Sequence, residues 1–149
     1  MNPFSRIISG TMTWGGWGAR MSSYQIQNQI EKYFALGITT FDHADIYGDY
    51  STEAEFGAAF AKSSVPREKV QFITKCGIQM PCEAKQLPVK YYEYSKNHIQ
   101  KSVENSLNYL NTDYIDLLLL HRPSPLLNVE VVGETIQKLQ KQGKIKYFG

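Results

Sequence analysis

The sequence predicts an α/β fold in which parallel strands alternate with outer helices. Apolar, β-rich runs begin near residues 6, 38, 70, 114 and 146, so three of the four intervals are 32 residues long. An interval of this length is typical of one βα unit with short connections. Amphipathic helical patterns lie between the runs, and the run at 115–120 is nearly continuous in Ile and Leu. Parallel strands that are covered by helices have this near-continuous apolar character.

The first two units contain expected helices at residues 24–36 and 52–62. The apolar face of the first helix is formed by Ile26, Ile30, Tyr33 and Phe34. Gly37 follows this helix, and glycine is typical of a helix C-terminus. Thr52 and Glu55 have the spacing of a capping box, which predicts that the second helix opens at Thr52. Strands are expected before these helices, from about residue 6 and at 38–41.

The third and fourth units follow the same pattern with one longer connection. Ser95 is a suitable N-cap for a helix whose apolar stripe comprises Ile99, Val103, Leu107 and Leu110. The next helix has the stripe Val129, Val132, Ile136 and Leu139, and Gly143 ends it. Strands are expected at 70–74 and 114–120, and the stretch 77–94 is expected to be an insertion, either a lid or a surface excursion.

A fifth strand is expected to begin at residues 146–149. A (β/α)8 barrel typically needs about 250 residues, and this chain has 149. The pattern therefore predicts the first four to five βα units of such a barrel, interrupted in its fifth strand. A small open α/β domain is the alternative.

Composition and charge are ordinary for a globular protein. The chain is 42% hydrophobic and has a net charge of +2, which is too small to predict nucleic acid binding. No apolar run approaches the roughly 20 residues that would span a bilayer. Cys76 and Cys82 lack a zinc-type Cys/His pattern, and we expect reduced thiols, no metal and a cytoplasmic location.

Four polar side chains follow three of the expected strands. Asp42 and Tyr47 come after the second strand, Lys75 after the third and His121 after the fourth. Each alone has a simpler explanation, as a turn aspartate, a loop tyrosine, a solvated lysine or a core histidine. Because the carboxyl ends of parallel strands meet at one edge, the four together favour a catalytic site for proton transfer.

Three segments resemble the aldo-keto reductase family. They are Gly-Ile-Thr-Thr-Phe-Asp-His-Ala-Asp-Ile-Tyr-Gly at 37–48, Phe-Ile-Thr-Lys at 72–75, and Leu-Asn-Thr-Asp-Tyr-Ile-Asp-Leu-Leu-Leu-Leu-His-Arg at 110–122. The resemblance is closest to a bacterial branch of predicted oxidoreductases with Asp-His-Ala-Asp-Ile-Tyr-Gly at this strand. It covers essentially the whole chain but only the first half of a family member. It implies that residues 1–149 form the N-terminal half of a (β/α)8 barrel, with NADPH extended across the rim.

The resemblance implies that Asp42, Tyr47, Lys75 and His121 are the catalytic tetrad. Tyr47 would protonate a carbonyl oxygen, and the nearby ammonium of Lys75 would favour the phenolate. Asp42 would hold Lys75 in place, and His121 would orient the carbonyl by a hydrogen bond. The implied reaction is the NADPH-dependent reduction of an aldehyde or ketone to an alcohol.

The resemblance also implies cofactor contacts from the loop after the first strand. These would be made by Gly10, Thr11 and Met12, together with Asp42. Most contacts to the adenosine and its phosphates come from later strands in the family. The preference for NADPH over NADH is therefore an expectation from the family alone.

Substrate contacts are expected near the same strand ends. The segment from Trp14 to Gly18 is either a flexible connector or an aromatic wall, in which Trp14 is favoured over Trp17 because it lies nearer the strand end. Many family members have Ser or Thr where this chain has His43, which adds a titratable group. Arg122 follows the last tetrad residue and is expected on the substrate side.

Other interpretations stay open at this point. The chain could be a nicotinamide-binding regulatory module without turnover, as in channel-associated β subunits, or an inactive fragment. A Schiff-base lyase would use Lys75 as the nucleophile. Open strand edges and uncovered helix faces predict self-association. The expected ligand is a small carbonyl compound whose identity the sequence does not select, and neither nucleic acid nor a membrane is expected as a partner.

Overall fold

A computed structural model describes residues 3–122 and 124–149, and it confirms the α/β class. In chain order the strands are β1 (Ile8–Gly10), β2 (Thr40–Asp42), β3 (Gln71–Cys76), β4 (Ile78–Gln79), β5 (Tyr91–Tyr92), β6 (Ile115–Leu120) and β7 (Ile145–Phe148). Strands β1, β2, β3, β6 and β7 form one sheet in that order, and every pairing in it is parallel. The expected strands therefore lie within two residues of the observed ones at their starts.

The helices are α1 (Ser23–Ala35), α2 (Tyr47–Tyr50), α3 (Thr52–Phe60), α4 (Lys96–Tyr109) and α5 (Val129–Lys141), with a 3₁₀ turn at Arg67–Lys69. Helices α1, α3, α4 and α5 pack beside one another in chain order. Ser22 caps α1 through a complete capping box with Gln25. The predicted N-cap Ser95 is confirmed for α4, where its side chain accepts from the backbone N–H of His98.

The capping box predicted at Thr52 and Glu55 is wrong. Thr52 is the first residue of α3, and the N-cap is Ser51, which makes no side-chain capping bond. Ser51 already has helical backbone angles because it follows the tight turn α2, in which Gly48 and Asp49 are left-handed. Its hydroxyl therefore donates to the Glu55 carboxylate (3.0 Å) instead of accepting from the helix.

The two faces of the sheet have different surroundings, because neighbouring residues on a strand point to opposite faces. One face packs on the helices and carries buried Phe41 and Phe72 in the core with α1 and α3, and Leu118 in the core with α4 and α5. The opposite face carries Asp42 and Lys75, and we call it the inner face. The insertion at 77–94 is an antiparallel hairpin of β4 and β5.

Candidate active site

The inner face brings Asp42 and Lys75 together by strand register. Asp42 ends β2, its partner on β3 is Ile73, and Lys75 lies two residues further on the same face. The Lys75 ammonium donates to Asp42 Oδ2 at 2.7 Å and to the Tyr47 hydroxyl at 3.2 Å. The predicted grouping of an acid, an amine and a phenol is thus present at one end of the sheet.

The Lys75 ammonium has a further acceptor that the sequence did not indicate. Its third short contact is to the backbone carbonyl of His43, at 2.8 Å. An ammonium has three N–H donors, so these acceptors account for all of them. One N–H of the group is consequently directed at the Tyr47 oxygen.

Tyr47 is held by the turn that follows β2. Its backbone N–H donates to the Ala44 carbonyl (3.1 Å), and its side chain is almost fully buried. Gly48 comes next with φ +59°, and a Cβ there would lie 2.4 Å from the Thr52 hydroxyl oxygen. Glycine is therefore favoured at position 48, both by its left-handed backbone and by the close approach of the Thr52 side chain.

His121 completes the group from the end of β6. Its ring lies edge-on to that of Tyr47, with centroids 6.1 Å apart, and its backbone N–H donates to the Cys76 carbonyl. Burial lowers the pKa of His121 to about 4, and the positive charges of Lys75 and Arg122 act in the same direction. The imidazole is neutral at neutral pH and can donate a hydrogen bond to a carbonyl oxygen.

Three residues predicted to contact ligands lie inside the protein instead. Trp14 packs in the core against Phe41 and Phe56 and is only 8% exposed. Thr11 and His43 have no exposed surface, and they are hydrogen-bonded to each other. The side chains of Thr11, Trp14 and His43 are thus enclosed in this structure, and their assignment to ligand contact stays a prediction.

The structure places the other predicted ligand contacts at the surface. Gly10 and Met12 are exposed at the end of β1, and Arg122 is exposed after β6. Gly10 is the Cα partner of Asp42, and no atom lies within 4 Å of the position that its Cβ would occupy. The position beside Asp42 is therefore open, and Gly10, Met12 and Asp42 stay predicted cofactor contacts.

Trp17 stands where Trp14 was expected. Its ring centroid is 6.1 Å from that of Tyr47, and its indole N–H donates to Asp49 Oδ1 at 3.0 Å. The loop reaches this position because Gly15 and Gly16 approach α3 and Gly48 closely. The paired glycines are the feature of the sequence that could have indicated this close approach of the loop.

Two buried carboxyl groups lie behind the turn that carries Tyr47. Asp45 and Glu53 line a cavity of about 700 Å³ between α3, α4 and the hairpin. Ser102 donates to Asp45 (2.9 Å), while Thr74 (2.5 Å) and Ser106 (3.0 Å) donate to Glu53. Burial nevertheless raises the pKa of both carboxyl groups to about 7. They titrate near neutral pH without touching the tetrad side chains.

Within residues 3–122 and 124–149, no three His, Cys, Asp or Glu side chains are grouped so that they could hold a metal ion. Within the same ranges, no helix combines the length and the apolar character that crossing a membrane requires.

Comparison with known proteins gives a consistent result. The family model described as the Aldo/keto reductase family matches residues 6–149. The chain is 47% identical over 149 residues to the uncharacterized oxidoreductase YcsN of Bacillus subtilis (strain 168), covering 98% of this chain and 48% of that protein. It is 42% identical over 146 residues to 6-dehydroglucose reductase of Agrobacterium fabrum (strain C58 / ATCC 33970), covering 97% and 49%.

The fold comparison agrees with this family match. The holo form of aldo-keto reductase AKR11C1 from Bacillus halodurans superposes with a TM-score of 0.82 at 27% identity, covering 98% of this chain and 45% of that one. The chain therefore spans about half the length of the curated relatives that it matches. Its five-stranded sheet corresponds to part of a barrel.

Proposed function

Because this chain belongs to the aldo-keto reductase family, we propose that it provides the proton-transfer residues of an NADPH-dependent carbonyl reductase. One observation carries the proposal: the Lys75 ammonium lies 3.2 Å from the Tyr47 hydroxyl while Asp42 holds it at 2.7 Å. A phenol is a weak acid, and a neighbouring ammonium stabilises the phenolate that remains after it gives up its proton.

The proposed step is a proton transfer to a carbonyl oxygen. NADPH, when bound, supplies the hydride that reaches the carbonyl carbon. The O–H bond of Tyr47 breaks and the O–H bond of the product alcohol forms, which leaves a phenolate beside Lys75. The neutral imidazole of His121 donates to the same carbonyl oxygen and orients it.

The environment of Lys75 favours this role over that of a nucleophile. A Schiff-base lysine must present a free amine to its substrate. Here the Lys75 nitrogen donates to a carboxylate, a carbonyl and a phenol. These contacts stabilise the charged form and support Lys75 as a fixed positive charge.

The substrate that we propose is an aldehyde or ketone that lies against Trp17. The exposed Trp17 ring stands beside Tyr47 and offers an apolar wall, while Asp49 holds its indole N–H. One relative is named 6-dehydroglucose reductase, so a sugar that carries a carbonyl belongs in the first substrate panel.

The test uses a chimera, because the chain spans about half of its relatives. The remaining half of the Agrobacterium fabrum 6-dehydroglucose reductase is joined after Gly149, and NADPH oxidation is followed with 6-dehydroglucose and simple aldehydes. We expect turnover, and we expect Tyr47→Phe to lower it by at least about 100-fold, the usual contribution of a general acid. NADH in place of NADPH tests the cofactor preference.

Tyr24→Phe is the matched control, since Tyr24 is an exposed tyrosine on α1. It should leave turnover unchanged. Full activity in Tyr47→Phe would refute the assignment of the proton donor. Cofactor binding without turnover on any carbonyl would instead favour a regulatory nicotinamide-binding module.

A further inference from the structure

The backbone carbonyl of His43 is one of the groups that fix the Lys75 ammonium. It accepts from the ammonium at 2.8 Å, close to the 2.7 Å of the Asp42 carboxylate. Both are shorter than the 3.2 Å contact to Tyr47. The direction in which this carbonyl points therefore helps to decide whether the third N–H of the ammonium reaches the Tyr47 oxygen.

The side chain of His43 anchors that carbonyl from within the protein. The ring has no exposed surface and lies edge-on to Phe56, with centroids 4.4 Å apart. Its Nδ1 is 2.9 Å from the hydroxyl oxygen of Thr11. The His43 backbone N–H donates to the Ile73 carbonyl on β3 at 2.8 Å. The N–H bond fixes the peptide that precedes His43, and the enclosed ring limits rotation about the bonds of the His43 Cα, from which the carbonyl extends.

Thr11 binds the peptide between Asp42 and His43 as well as the His43 ring. Its hydroxyl lies 3.0 Å from the Asp42 carbonyl, which also accepts from the Thr11 backbone N–H at 3.0 Å. A threonine hydroxyl has one proton, and a carbonyl oxygen can only accept. Both contacts are hydrogen bonds when the hydroxyl proton points to Asp42; the Thr11 oxygen then accepts from His43, and Nδ1 carries the hydrogen of the imidazole.

His43 does not act as an acid or base in this arrangement. Burial lowers its pKa to about 3, and the positive charges of Lys75 and Arg67 act in the same direction. Its Nε2 is buried and has no hydrogen-bond partner in the described part of the chain. Because the ring stays neutral, its hydrogen bond to Thr11 does not change with pH near neutrality.

We propose that Thr11 and His43 form a positioning pair, in which the hydrogen bond from His43 Nδ1 to the Thr11 hydroxyl orients the His43 carbonyl and so holds the Lys75 ammonium against Tyr47. This proposal rests on the proposed function, because the contact between Lys75 and Tyr47 matters for catalysis only if Tyr47 is the proton donor. It assigns to Thr11 a positioning role, and it gives a function to the buried ring of His43 next to Asp42.

Nitrogen NMR of the 149-residue chain tests the hydrogen bond directly. Long-range ¹H–¹⁵N correlation distinguishes the two imidazole nitrogens of His43. We expect the neutral tautomer with hydrogen on Nδ1 throughout pH 5 to 8. A ring protonated on Nε2 alone, or a charged ring at pH 6, would overturn the pair as described.

Chemical labelling tests the effect on Lys75. Brief acetylation with acetic anhydride, followed by mass spectrometry, gives the rate at Lys75 relative to Lys138, an exposed lysine on α5. We expect Thr11→Val to raise this ratio about fivefold, as the loss of one ordinary hydrogen bond predicts. Thr11→Ser keeps the hydroxyl and should retain the original ratio.

Thr13→Val is the matched control, because Thr13 is an exposed threonine on the same loop. Labelling is measured well below the unfolding temperature of each variant, so a general loss of stability does not alter the ratio. An unchanged ratio in a folded Thr11→Val variant, or equal effects of Val and Ser, would refute the positioning pair. Neither the NMR nor the labelling measurement requires turnover. A negative result in them refutes only the positioning pair, whereas retained activity in Tyr47→Phe refutes the proposed function.

Discussion

At the residue scale, burial separates side chains that the sequence presents as equivalent. His43 and His121 both follow a strand, yet His43 is enclosed and His121 lies beside Tyr47. Asp116 interrupts the apolar run of β6, and the structure supplies the reason. Its carboxylate accepts from Arg67 and from the Phe72 backbone N–H, at 2.8 and 3.0 Å. A polar residue within a buried strand marks a contact with other elements that periodicity does not reveal.

The buried carboxyl of Glu53 predicts a pH-dependent stability. Burial raises its pKa from 4.5 to about 7 in the folded chain. The folded state therefore binds more protons than the unfolded state between these values. The associated stability is complete below about pH 4.5 and is lost as pH rises through 7, by up to about 3 kcal/mol. Asp45, whose pKa is also raised to about 7, contributes in the same direction.

Urea unfolding between pH 4.5 and 8, followed by tryptophan fluorescence, measures this dependence. We expect Glu53→Gln to reduce the slope of the unfolding free energy against pH, because the titrating group is removed. Glu134→Gln, on the exposed side of α5, should retain the full slope. A Glu53→Gln variant with an unaltered slope would contradict the prediction.

At the element scale, close contacts between helices decide whether a helical glycine can be replaced by a residue with a Cβ. Gly57 and Gly133 both lie inside helices, and a propensity argument treats them alike. In α3, a Cβ at Gly57 would lie 2.0 Å from the Tyr109 carbonyl oxygen at the end of α4. In α5, no atom lies within 4 Å of the corresponding position at Gly133. Gly57 therefore permits the approach of α3 to α4, and Gly133 has no such constraint.

The two glycines predict opposite effects of the same substitution. Gly57→Ala should destabilise the chain by about 2 kcal/mol, because backbone atoms of α4 cannot move away cheaply. Gly133→Ala should stabilise it by about 1 kcal/mol through the higher helix propensity of alanine. Chemical denaturation of both variants checks this pair. Destabilisation by Gly133→Ala, or none by Gly57→Ala, would contradict the contact argument.

At the scale of the whole molecule, the strand order leaves an edge at each end of the sheet. Among residues 3–122 and 124–149, β1 and β7 each pair on one side only. Ile8 on β1 and Tyr147 on β7 are each nearly half exposed. Unpaired strand edges and exposed apolar side chains favour association with another chain.

We expect the 149-residue chain on its own to self-associate. Size-exclusion chromatography with light scattering should show a mass above that of a monomer, decreasing on dilution. Ile8→Lys and Tyr147→Lys should shift the population toward monomer by charging the exposed face. Tyr24→Lys, on exposed α1, is the control and should have no such effect. A monomer at all concentrations would refute the expectation.

The order of strands and helices, and the grouping of Asp42, Tyr47, Lys75 and His121, could be predicted from the sequence. Strand and helix periods are local patterns, and parallel strands place residues that follow them at one edge. The turn at Gly48–Tyr50 was not predictable in this way. Its left-handed backbone precedes an N-cap at Ser51 that makes no side-chain capping bond, and the expected capping box at Thr52 is absent.

The sequence by itself determined the βα order and which residues gather near the tetrad. Only the tertiary structure decided which of them are exposed: Trp17 stands beside Tyr47, while Trp14 and Thr11 are buried. It also supplied the His43 carbonyl as a partner of Lys75. The physical reason is that burial and hydrogen bonding here join residues about 30 positions apart, and local periodicity contains no record of such contacts.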